Sequence, residues 1–301
     1  MAGLKRLGSA VGSFRREARH GYGYAIAWFV RRFYLRFVRP HLEPANWSGP
    51  APADRPLTIV IPAVEKDAEV LGHCLQSVRQ FVADPVAAVW VVAPESARLR
   101  ALAAAAGALF VLEDTILPKP ARVLKTRGWV LQQFIKFNAC HHVATRDYLV
   151  LDADTVFLRP QRFLRGDKSL LRYSDQYELL YNRSLELIFG HGRRYPVSFV
   201  THHQLFAVDR MKSLLALLEQ RFHRPWWEAI QQEMDQGHPV SFSEYEMYGH
   251  FIMDQPESRG QVALEYWWGL DRDTAEVAQL DLLRRRVNPR INTVSFHQHT
   301  Q

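Results

Sequence analysis

Two carboxylates separated by one small residue, Asp152-Ala153-Asp154, follow directly on the uncharged apolar run Tyr148-Leu149-Val150-Leu151. The run is short and continuous, as expected of a parallel strand covered on both faces. At i and i+2 of extended backbone, the two aspartates lie on the same side. Carboxylates held that close repel one another and lose hydration, so a cation or a polyhydroxyl ligand normally compensates them. Oxygen donors of this kind suit magnesium or manganese carrying phosphates. The competing structural reading is an aspartate-rich turn that closes a strand and caps the next element.

Several elements must position this pair. Leu57 to Ile61 reads as a strand ending at Pro62, with a helix from about Asp67 to Val82. Val86 to Val92 and Leu109 to Leu112 are further strands, separated by a helix over Ser96 to Ala106. A helix from about Trp129 to Val143 then leads into the strand that ends at Asp152. Strands alternating with helices imply parallel βαβ units, and ligands bind at the carboxyl ends of such strands. Pro62, Glu113 and the two aspartates fall there. Beyond Pro160 the pattern weakens: a strand over Gln204 to Val208, helices over Met211 to Phe222, from Trp226 and over Ser241 to Met253, and a strand over Val262 to Trp268.

The chain has 301 residues, 48% hydrophobic and 23% charged, enough for one large domain with its own core. Cys74 and Cys140 fit no metal spacing and no disulfide framework, so both are expected free, buried and in a reducing compartment. The net charge of +7 is local: residues 1–40 hold nine of the 38 basic residues and one of the 31 acidic ones. Within this arm, residues 22–39 form an amphipathic helix pattern, with Ile26, Val30, Phe33, Tyr34, Phe37 and Val38 opposite Arg32, Arg36 and Arg39. Its apolar core is too short to span a bilayer and lacks a secretory cleavage site. It suits an anionic membrane surface, or a helix packed on the body with solvated arginines. No nucleic-acid-binding motif accompanies it. The expected organisation is an arm over 1–40, a proline-bearing linker over 41–56 and a catalytic domain over 57–301, cytoplasmic and peripheral on the membrane face.

The order of these pieces resembles the GT-A glycosyltransferase fold, a mixed α/β sheet of the nucleotide-diphospho-sugar transferase kind flanked by helices. "TIVIPAVEKDAEVL" is similar to its first strand and helix, and "GWVLQQFIKFNACHHVATRDYLVLDADTVFL" to the segment leading into its D-x-D. "SFVTHHQLFAVD" and "SEYEMYGHF" resemble acceptor-side segments of a group of predicted glycosyltransferases. The resemblance implies that Asp152 faces the ribose or donor sugar and that Asp154, with Asp152, ligates a divalent metal, manganese or magnesium. A histidine late in the chain completes such sites, and "VSFHQH" offers His297 or His299. The tail lacks the lysine-proline-tryptophan ending of one such family. The Q-x-x-K spacing pairs Gln133 with Lys136 on the nucleotide side, beside Pro62 and Lys66; Lys119, Lys125 and Arg127 are further cations for the diphosphate.

The implied partners are a nucleotide-sugar donor and a glycan or glycolipid acceptor. An inverting transfer requires a base for the acceptor hydroxyl, and Glu244 and Glu246 are the candidates. Two apart on a helix, they do not share a face. Each also fits an S-x-x-E capping box, with Ser241 and Ser243. His202-His203 could contact a hydroxyl; Trp226-Trp227 and Tyr266-Trp267-Trp268 either stack on sugars or pack in the core. Two rivals remain. In a haloacid-dehalogenase-like phosphatase "YLVLDADTV" would make Asp152 a nucleophile, although that signature normally opens the first strand. The other is a non-catalytic membrane-surface protein on a degenerate transferase scaffold.

Overall fold

A computed structural model describes residues 22–38, 55–124, 128–176, 179–235 and 242–297. Residues 1–21 of the arm, 41–54 of the linker, and Lys125, Arg127 and His299 lie outside the described residues. In chain order the main elements are α1 (Tyr22–Phe33), β1 (Leu57–Pro62), α2 (Ala68–Phe81), β2 (Val86–Ala93), α3 (Ala97–Ala105), β3 (Leu109–Leu112), α4 (Gly128–Asn138) and β4 (Asp147–Leu151). They continue with β5 (Thr155–Phe157), β6 (Leu164–Arg165), β7 (Lys168–Tyr173), α5 (Leu179–Phe189), β8 (His203–Ala207), α6 (Val208–Phe222), α7 (Trp226–Asp235) and α8 (Glu244–Asp254). The last are β9 (Val262–Tyr266), β10 (Gly269–Asp273), α9 (Leu280–Arg286) and β11 (Thr293–His297).

The central sheet runs β3-β2-β1-β4-β8. Its first four strands are parallel, and β8 closes it antiparallel to β4. This is the mixed sheet flanked by helices that the sequence implies. Every residue of β1 and β4 is buried, so neither strand needs polar residues on alternate positions. Alternation then sorts the side chains: Leu149 and Leu151 join Leu71, Leu75 and Val78 of α2 on one face. Tyr148 and Val150 meet Phe134 of α4, Met211 and Leu214 of α6 and Met247 and Phe251 of α8 on the other. The i, i+3, i+4, i+7 stripe Met211, Leu214, Leu215, Leu218 is what commits α6 to that face. Cys74 and Cys140 are free and buried.

The second half holds more structure than its sequence pattern advertises. Two three-stranded sheets, β10-β11-β5 and β6-β7-β9, and the helix α5 are built from segments too short or too polar to show a clear period. The strand expected over Val262 to Trp268 stops at Tyr266, because Trp267 turns its indole N–H to Thr293 Oγ1 at 2.7 Å.

Helix α8 starts where Ser243 caps it, the hydroxyl accepting from the Glu246 N–H at 3.4 Å. It then passes so close to the buried Phe199 that a Cβ at Gly249 would overlap the ring. Glycine to alanine inside a helix ordinarily stabilises by up to about 1 kcal/mol. Here overpacking should reverse the sign, and Gly249→Ala is expected to cost about 1–3 kcal/mol by urea unfolding. A neutral or stabilised variant would show that α8 is not held against Phe199.

Candidate functional site

Continuing the alternation of β4, Asp152 follows Tyr148 and Val150 toward α4 and α8. Its Oδ1 accepts from Lys136 Nζ at 2.5 Å and from the Tyr245 hydroxyl at 3.0 Å, and its Oδ2 faces His202 Nδ1 at 3.2 Å. Lys136, buried in α4, also donates to Glu244 Oε1 at 2.5 Å and to the Tyr245 hydroxyl at 3.1 Å. An ammonium has three N–H groups, and these three partners account for them. Burial alone would lower the Lys136 pKa, but the charges of Asp152 and Glu244 outweigh it and hold the ammonium above its ordinary value. Burial would raise Asp152; Lys136 and His202 reverse that and keep it well below the usual carboxylate range. Glu244 is shifted upward, first by burial and then by the neighbouring Asp152 charge, with Lys136 offsetting only part.

Two antiparallel pairings deliver the rest. Leu151 pairs with His203, and the Asp152 N–H bonds to the His202 carbonyl at 3.0 Å, which sets His202 beside Asp152. Thr155 pairs with Ser295, and the Phe296 N–H bonds to the Asp154 carbonyl at 2.9 Å, which sets His297 beside Asp154. His297 Nδ1 lies 3.1 Å from Asp154 Oδ2. In the parallel pair β10/β11, Asp271 is the partner of Ser295, so it reaches the same side as His297 two residues on. Its Oδ1 lies 3.4 Å from His297 Nε2 and 3.6 Å from His202 Nε2. Hydrogen bonds to Asp154 and Asp271 push His297 up to about 10 against its burial. Asp271 is lowered, because the His297 hydrogen bond and the His202 charge overcome its burial. Above the cluster, Trp267 sets its ring 5.2 Å from that of His202. Gly269 makes room for it, since a Cβ there would overlap the indole.

Two imidazoles and three carboxylates within this space fit a divalent cation, and His202 Nε2 is a buried nitrogen with no hydrogen-bond partner among the described residues. Lys136 is not placed to grip a diphosphate, because all three of its donors orient Asp152, Glu244 and Tyr245. Its spacing partner Gln133 is likewise turned to protein, accepting from the Glu244 N–H at 3.1 Å. Pro62 ends β1, buried, and Lys66 stands exposed just after it, at the carboxyl edge of the sheet. Of the two glutamates, Glu244 faces this cluster. Glu246 is turned away, held by Arg193 at 3.0 Å, Ser198 at 2.6 Å and His250 at 3.3 Å. Trp226 packs edge-on against Phe134 and Phe137 in the core.

Residues 55–284 match a family described as "Family of unknown function (DUF6492)". The chain belongs to this family. No curated protein matches the sequence. Among solved structures, this DUF6492 chain is similar to galactosyltransferase LgtC in complex with donor and acceptor sugar analogs, at 15% identity and TM-score 0.44 over 81% of this chain and 88% of that one. It is also similar to glucosyl-3-phosphoglycerate synthase from Mycobacterium tuberculosis in complex with Mn2+, UDP and glucosyl-3-phosphoglycerate. There the identity is 15% and the TM-score 0.36, over 58% of this chain and 68% of that one. The same enzyme with Mg2+ and UDP gives 16% and 0.38 over the same shares.

Asp271 and Tyr245 carry no signal in the sequence. Asp271 sits in an ordinary charged stretch, and only the strand pairing of β10 with β11 gives it a place. Tyr245 lies between the two glutamates and differs from any other helical tyrosine only through its contacts. A further carboxylate, Asp67, accepts from the Val64 N–H at 2.9 Å near the aspartate pair. Burial, with the Asp154 and Asp152 charges, raises its pKa to about 6. A carboxyl whose folded-state pKa is raised contributes stability in full below its unfolded value, and loses it as the pH climbs through the folded one. Asp67→Asn, which can still accept from Val64, should therefore match the wild type near pH 4. At about pH 7.5 it should be the more stable by on the order of 2 kcal/mol, several degrees in Tm. Equal melting at both pH values would remove the electrostatic coupling.

Proposed function

We propose that the chain is a divalent-metal-dependent glycosyltransferase, moving a sugar from a nucleotide-sugar donor to a hydroxyl acceptor. The observation that carries this reading is the convergence at one strand end of Asp152, Asp154, His202, Asp271 and His297 around a carboxylate pre-oriented by a buried ammonium. When bound, a divalent cation supplies charge neutralisation for the departing nucleoside diphosphate. The cluster that would hold it is His202, Asp271 and His297, with the aspartate pair beside them. Asp152, locked by Lys136 and Tyr245, presents a fixed acceptor to donor hydroxyls. Lys66, exposed just after β1, is the cation assigned to the phosphates in this reading.

In an inverting transfer, the C1–oxygen bond to the diphosphate breaks as the acceptor oxygen attacks C1, and the hydroxyl proton passes to Glu244. Its raised pKa and its place beside Asp152 support that role. Glu246, held away by Arg193, has no part in it. The phosphatase reading fares worse. Its signature opens a domain's first strand, whereas Asp152 here follows β4, after three other strands of the same sheet.

The test is a screen of sugar nucleotides by thermal shift with and without manganese. One donor should stabilise the protein only with metal, and Glu244→Gln should keep that shift while losing about 10²–10⁴-fold in transfer rate. Phosphate-ester turnover without any donor response would overturn the assignment.

The acceptor, in this reading, sits at an anionic membrane surface on its cytoplasmic side. Helix α1 and the turn that follows it, Tyr34–Val38, dock on the body through Trp28, Leu35 and the ion pair of Arg32 with Asp175 at 2.9 Å. Its opposite face carries Ile26, Phe29, Val30 and Phe33 exposed to solvent. An exposed apolar helix face in a basic arm matches a headgroup boundary. No helix among the described residues is long and apolar enough to cross a membrane. The full chain should co-sediment with phosphatidylglycerol vesicles, and Val30→Glu with Phe33→Glu should weaken this at least tenfold. Unchanged sedimentation would discard the membrane partner.

A further inference from the structure

The two histidines of the site are arranged alike. Each offers its Nδ1 to one aspartate of the pair: His202 to Asp152 Oδ2 at 3.2 Å, and His297 to Asp154 Oδ2 at 3.1 Å. Each turns its Nε2 toward the same oxygen, Asp271 Oδ1, at 3.6 and 3.4 Å. The two nitrogens of one imidazole point away from each other, so a single ion can take only one of them. The choice is thus between an ion on the aspartate-pair side of the rings and one on the Asp271 side.

Two observations favour the Asp271 side. The donor atoms of His202, Asp271 and His297 all lie within 4.8 Å of one another. A tetrahedral ion with ligands about 2.1 Å away has ligand-to-ligand edges of about 3.4 Å, close to the two separations seen. Second, His202 Nε2 is buried without a hydrogen-bond partner, whereas His202 Nδ1 is satisfied by Asp152.

We propose that the cation is held by His202 Nε2, His297 Nε2 and Asp271, a two-histidine, one-carboxylate set. Asp152 and Asp154 are not its direct ligands but the carboxylates that orient the two rings. In this arrangement each Nδ1–H donates to its aspartate, which fixes the tautomer and turns the lone pair of Nε2 toward the ion. Two imidazole nitrogens make the site selective for manganese, cobalt or zinc over magnesium, which favours oxygen donors. The inference deepens the metal-dependent reading above, and rests on it only in that a cation binds at this cluster.

The experiment is binding of Co2+ and Mn2+ to the full chain, by titration calorimetry, with pulsed electron paramagnetic resonance counting the imidazole nitrogens on Mn2+. The wild type should show two nitrogens, and His202→Gln one. His202→Gln and Asp271→Asn should each weaken Co2+ binding at least 100-fold. Asp154→Asn should keep both nitrogens and lose about 10–100-fold, as for an orienting partner. Mg2+ should bind more weakly than Mn2+ by at least tenfold.

A wild-type count of one nitrogen overturns the assignment without recourse to any variant. Wild-type affinity in Asp271→Asn, with binding abolished in Asp154→Asn, overturns it too and returns the ion to the aspartate pair. No cation bound at all would sink both this inference and the metal-dependent transferase. Cations bound as described, with no donor response, would leave the site standing and remove only the transferase.

Discussion

The buried contact of Lys136 with Asp152 and Glu244 is the interaction on which the rest of the site depends. One ammonium on α4 meets the end of β4 and the first turn of α8, so three elements distant in sequence share one charge. Removing one partner of such a contact costs about 3–5 kcal/mol, because the charge left behind is buried without compensation. The contact is not symmetrical. Asp152 is driven to its ionised form, while Glu244, deeper and repelled by Asp152, is pushed toward the neutral one. Environments that separate the proton affinities of adjacent carboxylates let the two serve in different roles.

Around that contact, backbone pairing is the positioning device. The aspartate pair lies between two antiparallel partners, β8 and β11, and each brings a histidine to one aspartate. A one-residue slip of either strand would turn its histidine to the opposite face. Such slips are resisted by the fully buried His203, whose ring packs against Phe157 and Phe163, and by Thr155 and Ser295, which share a hydrogen bond at 2.8 Å. The precision of the site is therefore inherited from core packing one residue away.

Much of the first half is legible in the sequence. The strands from Leu57 to Leu151 declare themselves by continuous apolar runs, and the helices between them by their stripes, with ends within a few residues of those observed. The helix expected to reach Val143 stops at Asn138, with a tighter turn over Ala139–His141. Asp152, Asp154, Lys136, His297 and Glu244 do come together. Gln133 and Lys136 meet protein partners instead of an open nucleotide pocket, and Glu246 was separated from Glu244 by the geometry of a single helix turn. By sequence His202 reads only as a residue able to touch a hydroxyl. Nothing in the neighbours of Asp271 and Tyr245 distinguishes them from solvated or packed residues.

What this sequence determined by itself is local: hydrophobic period, the abrupt arrival of two carboxylates at the end of a buried strand, and an arginine-flanked apolar helix at its start. Each depends on residues within a few positions of one another, where the physics of propensity and burial acts directly. Only the tertiary structure decided which groups surround Asp152-Ala153-Asp154. The partners of those two aspartates are Lys136, His202, Tyr245 and His297, with Asp271 behind the two histidines, brought in by strand pairing and helix packing across as many as 143 residues. Contacts of that kind arise from register and face, which no short window of sequence encodes.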